Sequence, residues 1–85
     1  MYPKSSNNYL VFNYELTKNE FVKINVYDML GKIVKNLIND QQSKGKNTII
    51  WDATNNDNKP VSAGMYIYTL QAVLFFQTEK IVFLK

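Results

Sequence analysis

The 85 residues are 46% hydrophobic and 14% aromatic with 20% charged, which excludes a disordered tail and leaves room for one core in one domain. Lys and Arg total 10 against 7 acids, for a net charge of +3. Every basic residue is a lysine, scattered from Lys4 to Lys85, so there is no arginine fork to read guanine and no patch to hold phosphates; no nucleic-acid partner is expected. Histidine and cysteine are absent, which removes His-based triads, thiolate nucleophiles, disulfides and Cys-ligated zinc.

Residues 1–8 read as a connector, with Pro3, Ser5, Ser6, Asn7 and Asn8, and residues 9–85 as a single β-sandwich domain. The connector holds no apolar segment of the signal-peptide kind, and the longest apolar run, Ala72 to Phe76, is far short of a membrane span. Leu10, Phe12, Tyr14 and Leu16 alternate with Val11, Asn13 and Glu15, and Val22, Ile24 and Val26 alternate with Lys23 and Asn25. A period of two, twice in succession, predicts two half-buried strands, and the polar link Thr17-Lys18-Asn19-Glu20 predicts that they form a hairpin. Asp28 to Lys32 is a turn in which Gly31 is free to take positive φ.

Ile33 to Ile38 is too short for a stable helix and reads as a third strand, followed by a polar connection over residues 39–46. Asn47 to Asp52 is a fourth strand that carries Trp51, the largest side chain available to the core. Asp52 to Lys59 is a loop dense in Asn and Asp. After Pro60 to Gly64, strands over Met65–Val73 and Gln77–Leu84 complete the chain, with Phe75 and Phe76 exposed at the turn between them. The sum predicts an all-β fold: a small antiparallel immunoglobulin-like sandwich of about seven strands with Greek-key connections.

No enzyme can be assembled from these residue types. Ser43 beside Lys44 and Lys46 sits in a polar loop without the desolvation that lowers a lysine pKa, and the acids are scattered over turns and strand ends. The oxygens of Asp52 to Asn58 raise the question of calcium. The loop lacks the EF-hand's central glycine and twelfth-position glutamate, and such residues are commonly turn formers. No cofactor is expected. Tyr66, Tyr68, Phe75 and Phe76 could form an aromatic platform for a sugar or peptide, but alternation draws one subset of that strand into the core, either Tyr66, Tyr68 and Leu70 or their neighbours Met65, Ile67 and Thr69.

Four segments in order carry a family likeness: Val26-Tyr27-Asp28-Met29-Leu30-Gly31-Lys32; Ile49-Ile50-Trp51-Asp52 after Gly45; Asp57-Asn58-Lys59-Pro60-Val61-Ser62-Ala63-Gly64-Met65-Tyr66-Ile67-Tyr68; and Glu79-Lys80-Ile81-Val82-Phe83-Leu84-Lys85. Together with Tyr2-Pro3 the chain resembles the type A C-terminal sorting domain of the Bacteroidota type IX secretion system. It departs from that pattern at Lys4-Ser5 and at Ala53, where Gly is usual. The stretch from the Tyr-Asp-x-x-Gly turn to the Ser-x-Gly-x-Tyr strand is also similar to the immunoglobulin-like domain of flagellar hook-capping proteins; the Lys-x-x-x-x-Lys terminus tips the resemblance toward the sorting domain.

That resemblance implies a secretion signal for an upstream cargo domain, carried through the periplasm to the medium or the cell surface. The implied partners are the outer-membrane translocon, its shuttle protein and a cell-surface sortase. The residues it assigns to translocon recognition are Gly64, Tyr66, Lys80, Ile81, Val82, Leu84 and Lys85. Three other roles stand beside it: a structural immunoglobulin-like spacer, a hook-capping-type module, and a carbohydrate-binding or adhesion module using the Asp52 to Lys59 loop and Phe75-Phe76.

Overall fold

A computed structural model describes residues 10–73 and 75–83. Six strands run in chain order: β1 (Leu10–Leu16), β2 (Glu20–Asp28), β3 (Ile33–Gln42), β4 (Gly45–Trp51), β5 (Gly64–Ala72) and β6 (Phe75–Phe83). They form two antiparallel sheets, one of order β1-β4 and one of order β3-β2-β5-β6. The all-β, sandwich-like expectation holds, with six strands among the described residues where about seven are expected.

The two sheets close on each other because each strand alternates an apolar face with a polar one. Leu10 and Phe12 of β1 and Trp51 of β4 meet Val26, Tyr66, Ile81 and Phe83 from the larger sheet in one cluster. Leu16, Val22, Ile24 and Leu70 form a second cluster, which Tyr68 and Leu37 join to the first. Trp51, Val22, Ile24 and Val26 are fully enclosed. The Trp51 indole stands edge-on to Tyr66 with centroids 5.5 Å apart and lies 6.2 Å from Phe83. Its Nε1–H donates to the Thr54 carbonyl at 2.9 Å, so the polar end of this large side chain is satisfied while the ring fills the core.

The structure corrects four expectations. β1 and β2 are not a hairpin: β1 pairs with β4, from Leu10↔Trp51 to Leu16↔Gly45, and the short link to β2 crosses between the sheets. Glu20, expected in that link, opens β2, is nearly buried, and its Oε1 accepts the Val73 N–H at 2.9 Å. Residues 39–42, expected as a connection, continue β3 and pair with β2 out to Glu20↔Gln42. Phe75 and Phe76 also belong to a strand, opposite Ala72 and Gln71, although both are exposed as expected. The connector assigned to residues 1–8 lies outside the described residues.

Candidate functional site: the terminal hairpin and the loop that closes the opposite edge

The residues proposed for recognition converge on one end of the β5–β6 ladder. Gly64 pairs with Phe83, Met65 with Val82, Tyr66 with Ile81 and Ile67 with Lys80. The pleat then divides them. Tyr66 and Ile81 point inward and are buried at 8% and 3% exposure, so neither can be read by a partner on the folded domain. Lys80 and Val82 point outward, on the face that also carries Ile67 and Tyr27. Leu84 and Lys85 lie outside the described residues.

Tyr66 is held by more than packing. Its hydroxyl donates to the Ser62 carbonyl, and Asp28 stands opposite it in the β2–β5 register. Burial, with the Asp28 carboxylate adding to it, raises the Tyr66 pKa; burial and then Glu79 raise that of Tyr68. Tyr68 packs against Phe12 with ring centroids 4.5 Å apart. The four-ring platform for a sugar or peptide therefore does not form: Tyr66 and Tyr68 face the core while Phe75 and Phe76 are exposed.

The turn after β2 is built on Asp28. Its Oδ1 accepts the N–H groups of Leu30 at 2.9 Å and Lys32 at 3.0 Å, while Gly31 takes φ 87° and donates its own N–H to the Asp28 carbonyl. The Asp-x-x-Gly spacing is thus a turn requirement.

At the opposite edge of the larger sheet, sequence reasoning missed a cluster centred on Lys35. Register shifts in the β2–β3 ladder leave Leu37 and Val34 unpaired on β3, on either side of Lys35 and Asn36. The Lys35 Nζ then donates to the Asn55 carbonyl at 3.0 Å and to Thr54 Oγ1 and Asn58 Oδ1 at 3.2 Å each. Asn55 Oδ1 accepts the N–H groups of Asp57 and Lys59. Of the oxygens that suggest calcium in the sequence, those of Thr54, Asn55 and Asn58 are engaged by an ammonium or by the loop's own backbone, and Asp52 Oδ1 accepts the Thr54 hydroxyl. The loop also covers the β3 edge: the Asn56 N–H donates to the Val34 carbonyl, and the Asn36 N–H to Asn56 Oδ1, both at 3.0 Å. An amide relay runs on from Asn56 through Asn36 to the nearly buried Asn25. The signal for this cluster was the concentration of Asn around one lysine, visible only once the bulges bring them together.

Comparison with known proteins places these features. A model of the FlgD Ig-like domain matches residues 4–74. Among solved structures, FlgD from P. aeruginosa superposes with a TM-score of 0.69 at 22% identity, covering 92% of this chain and 61% of that one. FlgD from Xanthomonas campestris, described for the hook capping essential for flagellar assembly, gives 0.68 at 22% identity and covers 91% and 56%. This chain thus spans less than two thirds of either FlgD chain. No curated protein sequence matches it.

The type IX sorting reading is overturned by that family match, and its translocon, shuttle and sortase partners and its role as a secretion signal go with it. The physical reason lies in what the shared motifs do. Asp28 and Gly31 make a turn, Trp51 and Tyr66 fill the core, and Ile81 and Phe83 are enclosed. Such positions report a fold, and likeness at them does not assign a role. With the match spanning the greater part of the sequence, the chain belongs to the FlgD Ig-like domain family.

Proposed function

We propose that this domain is a structural, non-catalytic module of the hook-capping type, a rigid sandwich that serves as scaffold in an assembly at the flagellar hook. The observation that carries the reading is the family match over residues 4–74. The use of the acidic side chains supports it. Asp28 and Asp40 accept backbone N–H groups at turns or strand ends, Asp52 accepts the Thr54 hydroxyl, and Glu20 ties β2 to the end of β5. These carboxylates hold the fold and are not gathered about a cleft, as acid–base chemistry requires.

The test is an in-frame deletion of residues 10–83 from the encoding gene in its own host. Hooks should be lost or shortened in electron micrographs and restored by the intact gene. Hooks of normal number and length in the deletion strain refute the proposal.

A further inference from the structure

Strand β6 is an edge of the larger sheet, paired only with β5 among the described residues, in an unbroken register from Gly64↔Phe83 to Ala72↔Phe75. The first half of β6 is open on both faces. Phe75 and Phe76 are 53% and 63% exposed, and Thr78, Glu79 and Lys80 are exposed beside them. The other edge of the same sheet, β3, is interrupted by bulges and covered by the loop around Asn56. An edge without proline, bulge or cover is a template for another strand.

The hairpin fixes which groups of β6 are available. Ala72 faces Phe75 across a two-residue loop, and the pair that closes such a loop carries the turn's hydrogen bond. Hydrogen-bonded and non-bonded pairs alternate from there. Phe75, Gln77 and Glu79 therefore direct their backbone groups to β5, while Phe76, Thr78 and Lys80 direct theirs to the open side.

We propose that the open side is filled by β6 of a second copy, antiparallel, about a two-fold axis at Thr78. Ladder length and charge together select the register: an axis at Phe76 or Gln77 leaves the outward backbone groups of Lys80 beyond the paired stretch of β6. An axis at Glu79 sets two carboxylates opposite each other and an axis at Lys80 sets two ammonium groups opposite, and like charges so placed are destabilising. An axis at Thr78 sets Thr78 against Thr78, Phe76 against Lys80 and Gln77 against Glu79. Symmetry makes the ammonium–ring and amide–carboxylate contacts twice. In the same register the outward backbone groups of Phe76, Thr78 and Lys80 all find partners. The dimer stands independently of the hook-capping reading.

The experiment uses the 85-residue chain in sedimentation equilibrium from micromolar to millimolar concentration. The mass should rise from 9.9 kDa toward twice that value. Thr78→Pro removes an N–H that faces away from β5, so it should leave the far-ultraviolet circular dichroism and Tm unchanged and keep the chain monomeric throughout. Should the proline disturb the fold, Thr78→Lys replaces it: two ammonium groups on the axis should weaken dimerisation at least tenfold without touching the backbone. The chain has no cysteine, so cross-linking reads the register. Opposed residues of a hydrogen-bonded pair have Cα atoms about 5.5 Å apart, within the disulfide range of about 4.4–6.8 Å. Under mild oxidation the Thr78→Cys variant should form a covalent dimer and the Glu79→Cys variant should not. The proposal is overturned by a wild-type chain that stays monomeric at millimolar concentration, by a dimer that survives both Thr78 substitutions, or by cross-linking as fast at position 79 as at 78.

Discussion

Replacing Lys35 by methionine tests whether one side chain holds the loop against the β3 edge. The substitution keeps an unbranched apolar stem and removes the ammonium that donates to Asn55 O, Thr54 Oγ1 and Asn58 Oδ1 at 3.0–3.2 Å. A buried charged hydrogen bond contributes roughly 1.5–3 kcal/mol. Lys35 is only half-buried, and the three oxygens can turn to water once it is gone, so the set together should contribute about 1–2 kcal/mol. For a domain of this size that lowers Tm by roughly 5–10 °C. Urea denaturation should show the loss at low and at high salt alike, because all three acceptors are neutral. The opening should also be local: amide exchange of Asn56 and Val61, which donate to Val34 O and Ala53 O, should quicken more than that of β2. A Lys35→Met protein with unchanged Tm and unchanged exchange at both amides refutes the clamp and leaves the loop held by its Asn turns and by the bonds of Asn56 to Val34 and Asn36.

Trp51→Ala should cost about 3–5 kcal/mol, since the indole is fully enclosed and its N–H is bonded to Thr54 O. That approaches the whole stability of a small domain, and loss of the cooperative thermal transition is the expected reading. At high pH the tyrosines should govern stability. Tyr14, Tyr66 and Tyr68 have native pKa values raised above 10.0, so the native state holds its phenolic protons more tightly than the unfolded chain does. Their contribution is complete below pH about 10 and is lost as pH rises through the native values. Urea midpoints should therefore fall with increasing pH in that range, and Tyr66→Phe and Tyr68→Phe should each flatten the fall; identical slopes in all three proteins contradict the burial argument.

Much of the fold was legible because alternation marks faces. Leu10 to Leu16 reads correctly as a strand and Val22, Ile24 and Val26 as the inward face of β2, since two-residue periodicity needs no knowledge of neighbours, whereas for β5 alternation defines two sets and only the structure shows that Tyr66 and Leu70 belong to the buried one. Pairing is different: Thr17 to Asn19 suits a hairpin or a crossover equally, and burial of β1 against Trp51 decides for the crossover. Residues 39–42 are polar because β3 is an edge strand whose end is exposed, and polarity there imitates a loop. In the terminal hairpin Gly64, Tyr66, Lys80, Ile81 and Val82 lie together in the β5–β6 ladder, and at Tyr66 and Ile81 the family likeness coincides with core positions, which a motif alone does not distinguish from an address. The Lys35 cluster was illegible, because it depends on two bulges that no local pattern announces.

The pairing of β2 with β5 has a kinetic consequence. The β2–β3 and β5–β6 ladders each join neighbours in the chain and can form locally, but Lys23 pairs with Gln71 and Asp28 with Tyr66 only after a long intervening segment is brought around. The β1–β4 ladder must bridge the whole β2–β3 hairpin as well. Closing such loops costs entropy before any core contact rewards it, so the docking of two preformed hairpins along β2 and β5 should set the folding rate. Mutations at that seam, at Val26 or Leu70, should slow folding, whereas changes at the far edges should mainly hasten unfolding.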